Sequence, residues 1–147
     1  MSGTGVTASR VIGLAEELER QSKAFYEGLA ERFPDRRRLF ISLARQCQKH
    51  QVSLVRTYRE TVNDALEVGF SFEGLDLEGY RFETALPDSL SSVEIIEQAV
   101  ELERQAVAFY ESAAEHSRSL LATIAVAFET TARKRGQIQR ELEALLD

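Results

Sequence analysis

The stretch ELERQSKAFYEGLAE, Glu17 to Glu31, returns as ELERQAVAFYESAAE from Glu101 to Glu115, with eleven of fifteen positions identical. No other feature constrains the fold of this 147-residue chain as strongly. Each copy places apolar residues at helical spacing along one face, so neither copy can bury that face alone. Two related units must therefore pack on each other. The repeat predicts a pair of helical hairpins.

Helical periodicity marks four segments. The first is expected over about residues 9–32 and stops at Phe33-Pro34-Asp35, where proline breaks the helix and Asp35 is placed to cap the next one. The second is expected over about residues 36–66, and the third over about 92–115, with Ser91 and Glu94 at capping-box spacing. The fourth follows the short HSRS connection, over about 120–146, and contains Gly136, which weakens a helix interior by roughly 1 kcal/mol relative to alanine. Residues 68–90, VGFSFEGLDLEGYRFETALPDSL, break the pattern with glycines and alternating apolar residues. A short hairpin is expected there, packed across the bundle by Phe70, Phe72, Tyr80 and Phe82. Short turn, long connection, short turn is the order of a four-helix bundle in which one hairpin lies beside the other. The fold class is all-α, and residues 1–147 read as one domain.

The net charge of −6 provides no general basic field for nucleic acid or anionic lipid, and Arg36-Arg37-Arg38 reads as a solvated helix start. The N-terminus lacks the apolar stretch of a signal peptide and no run reaches membrane-spanning length, so a cytoplasmic protein is expected. Cys47 is the one cysteine, which excludes an internal disulfide and a CxxC metal knuckle.

At 100° per residue, Ile96, Ala99, Val100, Ala106, Val107, Tyr110 and Ala114 form the inward stripe of the third helix, with Glu103 at its centre. Ile12, Ala15, Tyr26 and Ala30 flank Glu19 on the first helix. The second directs Phe40, Leu43, Leu54 and Tyr58 inward with Cys47 and His50, and the fourth directs Ile124, Phe128, Thr131, Ile138, Leu142 and Leu146 inward around Arg135. Each helix thus places a polar group in the core. Buried charge without a partner costs several kcal/mol, so these groups must meet one another or a metal.

Two hairpins joined by a long crossover, each opening with E-x6-Y and the phrase AFYE, resemble the ferritin-like superfamily and its rubrerythrin branch in particular. The resemblance implies a bundle whose first and third helices each give a glutamate, and whose second and fourth each give E-x-x-H, to two irons. It also implies chemistry such as peroxide reduction, reaction of iron with oxygen, or iron storage. Carried onto this chain, Glu19 and Glu103 hold the two glutamate positions, before Tyr26 and Tyr110. In FISLARQCQKH, His50 holds the histidine position and Cys47 that of the glutamate. In FETTARKRGQI, Arg135 replaces the glutamate and Ile138 the histidine. Neither replacement binds metal, since guanidinium stays protonated and isoleucine has no donor.

Three readings follow. One is a rubrerythrin-like protein with a degenerate site and a residual metal or redox role, holding one iron or zinc through Glu19, Cys47, His50 and Glu103. Arg135 is then the counter-ion that competes with that metal, and the redox partner is undefined. Another is a metal-free structural or partner-binding bundle in which Glu19, Glu103 and Arg135 form a buried ion-pair cluster, Arg135 supplying the charge a metal would supply. The last is a small-ligand carrier using the space around Glu103. A full di-iron centre would need ligands from another chain or from residues such as Glu16, Glu97 or Glu129, of which Glu97 and Glu129 project outside the core stripe and Glu16 lies at its margin. Cys47 reads as an inert core residue and His116 as a solvated turn residue. A homodimer is the expected assembly.

Overall fold

A computed structural model describes residues 7–61, 84–85, 90–118 and 122–146. It contains four long helices: α1 Ala8–Arg32, α2 Arg37–Thr61, α3 Ser92–Ser117 and α4 Ala122–Ala144. The expected all-α bundle is present. No helix among the described residues is long and apolar enough to cross a membrane. The segment expected as a hairpin with Phe70, Phe72, Tyr80 and Phe82 lies outside the described residues, as does the continuation of α2 to residue 66.

Local chemistry sets the helix ends. Thr7 caps α1, its Oγ1 accepting from the Arg10 amide at 3.2 Å. At the other end the Phe33 amide donates to the Leu29 carbonyl at 2.8 Å, and Pro34, which has no amide hydrogen, opens a single 3-10 turn, Pro34–Arg36. Asp35 lies within that turn, and no side chain caps the turn's start. The expectation that Asp35 caps the second helix is therefore corrected: the chain passes from the 3-10 turn into α2 without a break long enough to need a cap. At α3 the capping box is complete, with Ser91 Oγ accepting from the Glu94 amide and Glu94 Oε1 accepting from the Ser91 amide. α3 runs on to Ser117, so His116 is a helical residue, half-buried, with Nδ1 2.8 Å from the Ser112 carbonyl.

α1 packs along α2 and α3 along α4, as the repeat requires, and between the hairpins α2 lies beside α4. The start of α2, the start of α3 and the end of α4 line one recess at the same end of the bundle, with the α1–α2 turn. α2 and α3 therefore run parallel, and the chain between Thr61 and Ser92 joins opposite ends of the bundle. All four helices contribute to one core. Its stripes are wider than the sequence alone indicates, adding Val11, Leu18, Phe25 and Leu29 on α1 and Ile95, Leu102, Phe109 and Ala113 on α3. Leu146, expected inside, is 39% exposed because α4 ends before it.

The duplication is visible in the aromatic packing. Tyr26 meets Phe25 at 5.3 Å and Phe40 at 6.4 Å between ring centroids. Tyr110 meets Phe109 at 5.1 Å and Phe128 at 6.1 Å. The equivalent residues of the two hairpins make the same triad, and each triad positions a tyrosine hydroxyl at the bundle centre.

Candidate functional site

The polar residues expected in the core do converge. Glu19, Glu103 and Arg135 are each fully buried, and His50 is 4% exposed. The two tyrosines exchange partners across the hairpins: Tyr110 on α3 donates to Glu19 Oε2 on α1 at 2.6 Å, and Tyr26 on α1 donates to Glu103 Oε2 on α3. The exchange places α1 against α3. It is also the reason both halves of the repeated phrase need a glutamate and a tyrosine seven residues apart.

Arg135 enters from α4 and occupies the space between the carboxylates. Its Nη1 donates to Glu103 Oε2 at 2.6 Å, its Nε lies 3.2 Å from Glu19 Oε2, and its Nη2 lies 3.0 Å from the same oxygen. Nη2 also donates to Ser22 Oγ at 2.8 Å. One planar guanidinium thereby spends its donors on two carboxylates and a hydroxyl, which the point charge of a lysine could not do. Ser22 was not legible as a site residue. The available signal was that Ser22 and its repeat counterpart Ala106 are one of the few mismatches in the repeated phrase.

The two carboxylates are not equivalent. Glu19 Oε1 lies 3.0 Å from His50 Nδ1, and since a carboxylate only accepts, Nδ1 carries the hydrogen. Glu19 thus has donors on both oxygens. Glu103 Oε1 has no hydrogen-bond partner among the described residues, although it is fully buried. The cause lies in the sequence, because the position equivalent to His50 on α4 is Ile138, which has nothing to donate.

The electrostatics follow this difference. Burial pushes Glu19 toward its neutral form, but Arg135, His50 and Tyr110 together outweigh it and hold its carboxyl below the ordinary glutamate range. For Glu103 burial dominates, the attraction of Arg135 and the Tyr26 bond fall short, and its carboxyl is held above that range. One cation shared by two carboxylates leaves the one with fewer donors as the better proton holder. Burial raises both tyrosine hydroxyls well above their usual values, with the neighbouring glutamates adding to the effect. The Cys47 thiol, fully buried on the same face of α2, is also pushed up by burial, with Arg135 opposing and Glu19 and Glu103 reinforcing. It is a thiol here rather than the thiolate that metal ligation or nucleophilic attack requires.

Whether these residues fit a metal is decided by Arg135. Among the described residues no three His, Cys, Asp or Glu side chains form a group able to hold an ion. The carboxylate oxygens that would face a dication already face the guanidinium, at distances that leave no room for one. With Arg135 in place the donor set does not fit iron or zinc. The other candidates are used elsewhere: Glu16 accepts from Gln51 at 3.3 Å, Glu129 pairs with Arg118 at 3.1 Å at the surface, and Glu97 is exposed.

Compared with known proteins, the chain matches no family model, no curated protein and no solved structure.

Proposed function

We propose that this protein is a rubrerythrin-like bundle in which a buried arginine has taken the place of the metal, and that it acts as a metal-free structural or partner-binding module rather than as an oxidoreductase. The observation that carries the reading is Arg135, fully buried and bonded to both Glu19 and Glu103. The resemblance places metal ligands at Glu19, Glu103, Cys47 and His50, and a guanidinium supplies the positive charge those carboxylates need. It does so without the open coordination position or the change of oxidation state that redox catalysis uses. What remains is a clasp between the hairpins. Each carboxylate is tied by a tyrosine from the opposite hairpin, and Arg135 ties α4 to α1 and α3 at once. Residual mononuclear binding through Glu19, Cys47, His50 and Glu103 would need Arg135 to leave the centre and the Cys47 thiol to lose its proton.

The test is metal content. Elemental analysis of the purified protein, before and after anaerobic incubation with Fe(II) or Zn(II) and desalting, is expected to find no metal in stoichiometric amount with the helical content unchanged. About one or two ions per chain would overturn the proposal and restore a metal role to these residues.

A further inference from the structure

The outward face of α2 is unlike the rest of the molecule. In a chain of net charge −6, α2 carries six Lys and Arg residues and a single acid, Glu60 near its end. Arg37, Arg38, Arg45, Lys49, Arg56 and Arg59 are all exposed. At 100° per residue they fall within an arc of about 120°, opposite the buried stripe, and span about 33 Å of helix. On α1 and α3 several cations pair with an acid close in sequence, as in Arg20–Glu17, Lys23–Glu27 and Arg104–Glu101. None of the six on α2 has a carboxylate within ion-pair distance among the described residues. Nor does helix stability account for them. The first turn of α2 has no acidic residue and two arginines, the arrangement the helix dipole disfavours.

The complementary surface is on α3. Glu94, Glu97, Glu101, Glu111 and Glu115 are exposed along one face, with Arg104 the one cation of that helix. α2 and α3 occupy opposite corners of the bundle, since α2 borders α1 and α4 while the tyrosine exchange sets α3 against α1. One copy therefore cannot bring its two stripes together. The spacings match between copies. With the helices parallel and Arg38 opposite Glu94, Arg45 falls opposite Glu101 and Arg59 opposite Glu115, while Arg56 falls one residue from Glu111. In the same register Val52, 49% exposed at the middle of the basic stripe, meets the exposed Ala108, and Lys49 meets Gln105. A small apolar contact flanked by ion pairs results.

We propose that the basic stripe of α2 docks on the acidic stripe of α3 in a second copy of this chain, the two helices running parallel. Because the two surfaces differ, the contact is head-to-tail and leaves a free stripe at each end for further copies. The inference takes the partner-binding reading a step further and uses no residue of the buried cluster, so a failure here leaves the metal test untouched.

Sedimentation of the full chain tests it. At low salt the average mass is expected to rise with protein concentration, and at about 1 M NaCl, where the screening length is about 3 Å, to fall to that of a monomer. Arg45→Glu with Arg56→Glu should weaken association on the order of 100-fold, with the helical content unchanged. Glu101→Arg with Glu111→Arg should do the same, and mixing the two variants should restore association, because each then offers the stripe the other lacks. A monomer under all conditions would overturn the proposal. So would association that ignores salt and both reversals, or a monomer that binds a short DNA duplex through the stripe.

Discussion

The two hairpins carry the same repeated phrase, and the core shows where they match and where they differ. Glu19 and Glu103, Tyr26 and Tyr110, and the phenylalanines around them make equivalent contacts. The second helices have diverged. α2 offers Cys47 and His50 where α4 offers Arg135 and Ile138. Glu19 is consequently bonded on both oxygens and Glu103 on one. The difference teaches that one buried guanidinium can serve two carboxylates in a polar core even where only one of them has a second donor. The cost is confined to one bare oxygen, Glu103 Oε1.

The largest change should come from giving α4 a histidine where α2 has His50 and a carboxylate in place of the guanidinium. Arg135→Glu with Ile138→His gives α4 an E-x-x-H and removes the guanidinium. The expected outcome is Co(II) binding, read from its visible bands, by a chain whose parent shows none. Alternatively, the apo-variant is unfolded and gains helicity when Co(II) is added, because carboxylates stripped of Arg135 then require the ion. A variant that folds without metal and ignores Co(II) would show that the halves are not equivalent.

A smaller effect separates the two carboxylates. Glu19→Gln sets an amide donor against the His50 Nδ1–H and is expected to cost about 2 kcal/mol in denaturant unfolding. Glu103→Gln retains an acceptor for Tyr26 and Arg135 and removes a charge that burial already disfavours. Its expected change is within about 1 kcal/mol. Equal losses at both sites would erase the distinction drawn between the hairpins.

The same asymmetry should appear in the pH dependence of stability. Glu19, held below the ordinary range, contributes stability that is present above the unfolded glutamate value and lost as pH falls through its folded value. Glu103, held above that range, binds its proton more tightly when folded, so its contribution declines as pH rises from the unfolded value through the folded one. Urea unfolding across acidic pH is expected to show a maximum near the ordinary glutamate range. Glu103→Gln should flatten the limb above it and Glu19→Gln the limb below it. A profile unchanged by either variant would contradict the assignment.

Much of this was legible in the sequence because duplication made it so. The repeated phrase placed Glu19, Tyr26, Glu103 and Tyr110 in register, and the FxxxA spacing in α2 and α4 aligned Cys47 and His50 with Arg135 and Ile138. The capping box at Ser91 was readable because both of its bonds are local. The role of Ser22 was not, since its hydroxyl matters only where an arginine from another helix reaches it. Nor was the exchange of tyrosines, because the pattern within one helix is the same whether a hydroxyl serves its own hairpin or the other. The charge of α2 was visible as the run Arg36-Arg37-Arg38, but its extent required knowing that Arg45, Lys49, Arg56 and Arg59 share one exposed face.

The central claim is that Arg135 is present to neutralise Glu19 and Glu103. The direct measurement is the unfolding free energy of Arg135→Leu in two backgrounds, the natural chain and one carrying Glu19→Gln and Glu103→Gln. In the natural chain the loss is expected to be roughly 3–5 kcal/mol, because two buried carboxylates are left without their cation. In the neutralised background the loss is expected to fall to about 1 kcal/mol or to become a gain, as when a buried ionic cluster is replaced whole. Equal losses in the two backgrounds would mean that Arg135 serves packing alone, and the account of an arginine standing where a metal would be held would be wrong.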